Sequence, residues 1–488
     1  MTAHAALRVA DESAGRPATW FECTGCGRRV PSGEPVPLRC PSASGGDDVD
    51  HVLARKLDPA RASFPQGSED TPFVRYRTLF HAWHAARELG WSDAEYVAVV
   101  ERLDAAVAAV DGHGFRVTPF FRAAELSDRL GFSKTGGVWV KDETGNVSGS
   151  HKARHLMGTL LELEVAEAMR RAGGAPVAGP APLAVASCGN AALAAAVVAR
   201  AAGRPLDVFI PPEADPAVVA RLRELGARLT VCERRPGVNG DPTYHRLLEA
   251  MSAGALAFSC QGNLNGLAIE GGEALGWEMV DPLAAAGAQL DRIFVQVGGG
   301  ALAAACAGGL GEARALGRPV GSGRFHAVQT RGAYPLERAY VRLADRVAAG
   351  ETPADALAYA AGHRSEFMWS WEEEPHSIAH GILDDETYDW LAVSRAMFET
   401  GGSPIVVDED TLMEANDLAR SATGIDVDHT GSAGLAGLLR LVQSGAVDPA
   451  ETVAVLFTGV RRSTGDAPTS PSPAADGRSA SPPKEARS

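Results

Sequence analysis

The chain has 488 residues, 45% of them hydrophobic and 22% charged, with 46 basic and 61 acidic side chains and a net charge of −15. That length leaves room for two or three domains with sizeable cores. The acidic balance argues against a nucleic-acid surface or an anionic membrane as partner.

Residues 1–18 show no secretory pattern and little to bury, and a disordered N-terminus is expected there. Residues 19–62 carry three cysteines and read as a small ribbon-like module. Helical patterns dominate from residue 72 to 130. In "SDAEYVAVVERLDAAVAAV", Ser92 is an N-cap candidate and Glu95 completes a capping box. From Gly137 onward apolar runs alternate with helical patterns. "GVWVKDE", "PLAVAS", "LDVFIPP", "RLTVCE", "ALAFSC", "RIFVQVGGG" and "RFHAVQT" read as strands, and the first six are each followed by a helical run. Buried strands alternating with helices predict parallel sheets covered on both faces. The most apolar window, "APLAVASCGNAALAAAVVARAAG", is broken by Ser187, Gly189 and Asn190, and fits strand, turn and buried helix better than a membrane span. After Arg462 the sequence is rich in Ser, Pro and Ala, and residues 463–488 read as a disordered tail. Four cysteines (Cys188, Cys232, Cys260, Cys306) stand alone in apolar stretches, as buried thiols of a reducing cytoplasm would.

The module contains Cys23, Cys26 and Cys40, a C-x₂-C followed by a third cysteine. This is most of a zinc ribbon. Ala43 stands where a second C-x₂-C would end. His51, or one of Asp47, Asp48 and Asp50, could supply the fourth ligand. A zinc site and a ribbon that folds without metal both remain open.

Four stretches carry chemistry. "GNVSGSHKARHLMG" places Lys152 after a small-residue turn and at a helix start, the setting of an amine that burial can keep unprotonated and nucleophilic. "VASCGNAALAAA" turns from strand to helix through Ser187, Cys188, Gly189 and Asn190, where backbone N–H groups suit a carboxylate. "VQVGGGALAAA" opens a helix after three glycines, a phosphate cradle without the signature of a nucleoside triphosphate or dinucleotide loop. "DVDHTGSAGLAGLL" puts the Thr430 hydroxyl before a Gly/Ala-rich helix. Taken singly, each also reads as an ordinary turn, cap or surface lysine.

Their order and spacing from about Phe115 to about Val460 resemble the fold-type II pyridoxal-phosphate enzymes, the group of threonine synthase, serine/threonine dehydratase, cysteine synthase and the tryptophan synthase β chain. The resemblance implies two parallel-sheet α/β domains with pyridoxal 5′-phosphate in the cleft between them. The larger would comprise residues 63–160 and 265–462, and the smaller residues 161–264. It implies that Lys152 holds the cofactor and acts as the catalytic base. His151, Asn190, Gly298, Gly299, Gly300, Ala301, Leu302 and Thr430 would contact the cofactor, and Ser187, Cys188, Gly189 and Asn190 the substrate carboxylate. The sequence departs from the tryptophan synthase loop at SCGN. It departs from the usual threonine synthase pattern at His151, Ala153 and Arg154.

The expected activity is elimination or replacement at the β or γ carbon of an amino acid, threonine synthase-like, with a cysteine synthase-like replacement or a serine/threonine dehydratase as alternatives. A non-catalytic, cofactor-binding regulatory relative is the rival of another class. A cytoplasmic homodimer acting on a small amino acid, with neither nucleic acid nor membrane as partner, completes the expectation.

Overall fold

The computed structural model describes residues 18–174, 179–234 and 240–462. The tail expected at 463–488, and all but the last residue of the N-terminus expected to be disordered, lie outside these ranges.

Twelve strands in the described residues form three sheets. β1 (Thr19–Cys23) and β2 (Leu53–Leu57) pair antiparallel in the N-terminal module. The largest sheet contains β3 (Phe120–Arg122), β4 (Gly137–Asp142), β9 (Arg292–Gln296), β10 (Arg324–Thr330), β11 (Pro404–Val407) and β12 (Thr452–Phe457), in the order β11-β10-β9-β12-β4-β3. All its pairs are parallel except the edge pair β3–β4. The second sheet is wholly parallel, β7-β6-β5-β8, from β5 (Leu183–Ala186), β6 (Leu206–Ile210), β7 (Arg228–Val231) and β8 (Leu256–Ala257). The continuous apolar runs of β9 and β12 are buried along their whole length, as parallel strands covered on both faces must be.

Each strand read from an apolar run is present at its expected place, although "ALAFSC" yields only the two residues of β8. β1, β2, β3 and β12 are additions. β3 lies inside the stretch read as helical, and three residues are too few to display alternation. The Ser92 capping box forms as expected at the start of the Asp93–Asp111 helix.

The Lys152–Ala172 helix is buried over most of its length because it is crossed by the Leu267–Glu278 helix at small residues. A β-carbon at Gly158 would come within 2.5 Å of Gly271 Cα. This close crossing fixes the axis of the helix that begins with Lys152.

Candidate active site

Lys152 is the first residue of its helix, and the turn before it is held from two sides. Ser148 has φ 58°, the one non-glycine residue with positive φ among the described residues, and Gly149 follows at φ 70°. A side chain rarely adopts this conformation, so the turn is imposed by its anchors. The Ser148 N–H donates to Asp111 Oδ2 at 2.7 Å. Val460 N–H donates to the Gly149 carbonyl at 2.9 Å, and His151 N–H to the Thr458 carbonyl at 3.2 Å. The Lys152 turn is thereby stitched to the residues just past the C-terminal end of β12.

His151 is buried and its Nδ1 faces the Thr458 carbonyl at 3.3 Å. Since a carbonyl only accepts, Nδ1 carries the proton and Nε2 is the acceptor of a neutral ring. Burial first, then the charge of Lys152, pushes the His151 pKa well below its ordinary value. His151 Nε2, Ser148 Oγ and Ser150 Oγ are buried polar atoms without a hydrogen-bond partner among the described residues. Such atoms are costly unless a ligand meets them.

Asn190 opens the Asn190–Ala201 helix directly after β5 and the turn Ser187-Cys188-Gly189. Its Oδ1 accepts from Arg462 Nη2 at 3.0 Å, and the same guanidinium nitrogen donates to the Ser148 carbonyl at 2.7 Å. A β-carbon on Gly459 would lie 2.9 Å from Asn190 Nδ2. The SCGN turn, the Lys152 turn and the end of β12 therefore border one space.

Gly298, Gly299 and Gly300 link β9 to the Ala301–Ala315 helix, and Gly300 adopts φ 100°. The irregular segment 380–389 lies against them. Thr387 Oγ1 donates to the Gly298 carbonyl at 2.9 Å, and the Asp389 N–H to the Gly299 carbonyl at 2.9 Å. A β-carbon on Gly298 would collide with the Asp384 carboxylate, and one on Gly299 would stand 2.9 Å from the Tyr388 ring. Burial pushes the Asp384 pKa up to about 6, opposed by the charge of Lys152 and the nearby Gly299 N–H. Burial likewise raises Asp389 to about 8, with Lys152 again opposing. Both carboxylates feel Lys152; that of Asp384 packs against the glycine loop, and Asp389 meets the loop through its N–H and Cβ, which sets amine and loop near one another. Backbone N–H groups at the start of the Ala301–Ala315 helix suit an anionic oxygen.

Thr430 lies in the first turn of the His429–Gln443 helix, and its Oγ1 accepts from the Gly381 N–H at 3.0 Å. It is joined to the glycine loop through Ile382, whose Cα would lie 2.8 Å from a β-carbon on Gly298. A second hydroxyl lies closer to the centre of the cluster. Thr458 is buried, its Oγ1 accepts from Gln296 Nε2 at 2.6 Å, and its carbonyl faces His151. Sequence reasoning passed over Thr458, Asp384 and Asp389. The end of a buried parallel strand was the signal for Thr458, and the two aspartates gave none.

In the N-terminal module, the ligand-capable atoms of Cys23, Cys26, Cys40 and His51 lie within 4.8 Å of one another. Cys26 Sγ and Cys40 Sγ are 3.7 Å apart, and Cys23 Sγ is 3.5 Å from His51 Nδ1. Tetrahedral zinc with Zn–S near 2.3 Å needs a sulfur–sulfur edge of about 3.8 Å. His51 Nε2 stands 3.3 Å from Asp47 Oδ2, the arrangement that orients a metal-binding imidazole. The other candidates point elsewhere: Asp48 bonds Ser365 and Asp50 pairs with Arg364. All seven cysteines are free thiols.

Comparison with known proteins bears on this site. Residues 113–459 match a family described as pyridoxal-phosphate dependent enzyme. The chain is 26% identical over 344 residues to a threonine synthase of Methanosarcina acetivorans, covering 70% of this chain and 74% of that one. It is 30% identical over 200 residues to a phenylserine dehydratase of Ralstonia pickettii, covering 41% of this chain and 55% of the other. Among solved structures, a threonine deaminase isoform of Solanum lycopersicum superposes with TM-score 0.54 at 15% identity, over 76% of this chain and 91% of that one. Maize serine racemase superposes with TM-score 0.53 at 19% identity, over 74% of this chain and 92% of that one.

Proposed function

The chain belongs to the pyridoxal-phosphate dependent enzyme family, and from that premise we propose that it eliminates or replaces a β or γ substituent of a small amino acid, in the manner of its threonine synthase relatives. The observation that carries the proposal is the approach of the Lys152 turn, the SCGN turn and the 298–302 loop to one another, with buried polar atoms in need of a partner.

Lys152 would hold the cofactor. The loop Gly298, Gly299, Gly300, Ala301 and Leu302 would hold its phosphate, Asn190 would face its phenolic oxygen and Thr430 its ring nitrogen, with His151 also against the cofactor. When bound, the cofactor draws electrons from the substrate Cα and acidifies its C–H bond. Lys152 is placed to take that proton. His151, kept neutral by burial, adds no positive charge beside it. A Thr430 hydroxyl can hydrogen-bond a ring nitrogen but is too weak an acid to protonate it, which favours loss of a leaving group over transamination. Ser187, Cys188, Gly189 and Asn190 offer a helix N-terminus to the substrate carboxylate.

A dehydratase is the second reading, supported by the similarity to phenylserine dehydratase. Amino acids with a hydroxyl or a phosphate ester on the β or γ carbon separate the two. Release of the substituent with the amino group retained supports replacement. Ammonia and a 2-oxo acid support dehydration. Amino-group transfer as the main reaction would sink both. Lys152→Ala is expected to lose covalent cofactor and turnover together.

We further propose that Cys23, Cys26, Cys40 and His51 hold one zinc ion that fastens the module. Metal analysis should find one equivalent in the intact protein and none in Cys40→Ser. The larger domain is proposed to span residues 63–160 and 265–462, the smaller residues 161–264. A cytoplasmic homodimer is the proposed form. The free thiols fit a reducing compartment, and no helix among the described residues is long and apolar enough to cross a membrane.

A further inference from the structure

The Asp384 carboxylate lies half-buried against the glycine loop read as the phosphate site. It sits close enough to the Gly299 N–H for that dipole to favour its ionised form. A β-carbon on Gly298 would collide with its Oδ2, and one on Gly299 would be 3.5 Å from the same oxygen. The rest of the segment is fixed to the other side of the loop, through Thr387 on the Gly298 carbonyl and the Asp389 N–H on the Gly299 carbonyl. The Gly298 and Gly299 carbonyls are therefore satisfied by hydroxyl and backbone donors, while an acidic side chain packs against the loop near its N–H groups.

We propose that Asp384 is an internal anionic ligand of the 298–302 loop, competing with the cofactor phosphate and setting how tightly the cofactor is retained. This rests on the reading of that loop as the phosphate site. A carboxylate and a phosphate cannot share the Gly299 N–H, and their charges repel at contact distance. The two fixed carbonyl contacts let the Asp384 side chain rotate away without dislodging the segment. The titratable groups around Asp384 include Lys152, Asp241 at the start of the Pro242–Ser252 helix, and Asp385, Tyr388 and Asp389 from its own segment. Lys152 is the cation among these, and it is the group that would hold the cofactor.

The test is equilibrium titration of cofactor-stripped full-length protein with pyridoxal phosphate, and separately with pyridoxal, read by absorbance. If the carboxylate holds the loop about nine-tenths of the time, the apparent dissociation constant for pyridoxal phosphate is raised about tenfold. Asp384→Ala, which removes the acceptor, is expected to tighten pyridoxal phosphate by roughly that factor. Asp384→Asn, which keeps an acceptor and loses the charge, should tighten it less, and pyridoxal should bind all three proteins alike. The advantage of the variants should shrink below about pH 6, where the carboxyl is protonated. Unchanged or weaker binding of pyridoxal phosphate in both variants overturns the proposal, as does equal tightening of pyridoxal, which would mean a merely opened cleft. Gly299→Val tells this failure from that of the underlying reading. If it leaves pyridoxal phosphate affinity intact, the loop is not the phosphate site at all. If it weakens binding while the Asp384 variants change nothing, only the competition is wrong.

Discussion

Two buried charge clusters flank the Lys152–Ala172 helix, and they are built on opposite principles. Behind the active site, Lys141 and Arg154 face Glu143 and Glu278. Arg154 Nε donates to Glu143 Oε2 at 2.8 Å and Nη1 to Glu278 Oε1 at 2.6 Å, while Lys141 Nζ contacts Glu278 and the Thr118 carbonyl. Two cations meet two carboxylates. Burial raises the Glu278 pKa, but Arg154 and Lys141 outweigh it and hold the group below its ordinary value. Under the N-terminal module, Arg55 of β2 alone faces Glu270, Glu273 and Glu312, with Glu162 beside Glu270. One cation cannot compensate that many acids. Burial pushes Glu273 up to about 8 and Glu270 up to about 7, and raises Glu162 well above its ordinary value. A balanced cluster stays ionised and rigid. An acid-rich one stays together by keeping protons.

Breaking the balanced cluster should have the largest effect. Arg154→Met leaves Glu143 and Glu278 with Lys141 alone in the interior, and removing one partner of a buried pair costs about 3–5 kcal/mol. Because Arg154 lies two residues from Lys152, cofactor binding should fall as well. Chemical denaturation checks the first effect and absorbance of the bound cofactor the second. A loss under 1 kcal/mol would show that the cluster is wetter than its burial indicates.

The acid-rich cluster should make stability depend on pH in a defined direction. The folded pKa values of Glu270 and Glu273 lie above the unfolded value of 4.5. Their contribution is therefore complete below pH 4.5 and is lost as pH rises through about 7 and 8. Glu278 behaves oppositely, its contribution being present above pH 4.5 and lost on acidification. The cluster alone should therefore lower the melting temperature between pH 5 and pH 8, a decline set against the buried or half-buried histidines His81, His84, His151, His155 and His326, whose depressed pKa values favour the folded state as pH rises toward 6.5. Glu273→Gln, which keeps the shape without a proton to lose, should flatten that decline. An identical slope in wild type and variant would move the pH dependence to another site.

These clusters also mark where sequence reading runs out. The parallel sheets were legible because buried strands and capped helices alternate in composition, and the glycine turns because they follow apolar strands. Arg55 was one of two charges in a five-residue strand, and its partner Glu273 is 218 residues away, so no local pattern joins them. His51 stands 11 residues beyond Cys40 with no second C-x₂-C to announce it. Asp384 and Asp389 belong to a segment with little regular structure, where no period shows which side chains turn inward. Thr430 was visible as a helix start. Thr458, at the end of a strand, looked like any residue leaving a sheet until the fold set it beside His151.

The comparison attributes energy to burial rather than to ion pairing as such, and an exposed pair of better geometry tests that. Arg228 and Asp207 join β7 to β6 with two parallel bonds, Nε to Oδ1 at 2.7 Å and Nη2 to Oδ2 at 2.8 Å. Arg228 grips one carboxylate with two bonds where Arg154 is divided between two glutamates, but the side chains are 59% and 28% exposed. Water solvates both charges in the folded and unfolded chain, so little is gained by pairing and little is stranded by removing one partner. Arg228→Ala should cost about 0.2–1 kcal/mol, less in high salt, and leave the pH profile unchanged. A cost approaching that of Arg154→Met would mean that pairing geometry, not desolvation, sets the worth of these contacts, and would remove the physical basis for treating the two buried clusters differently.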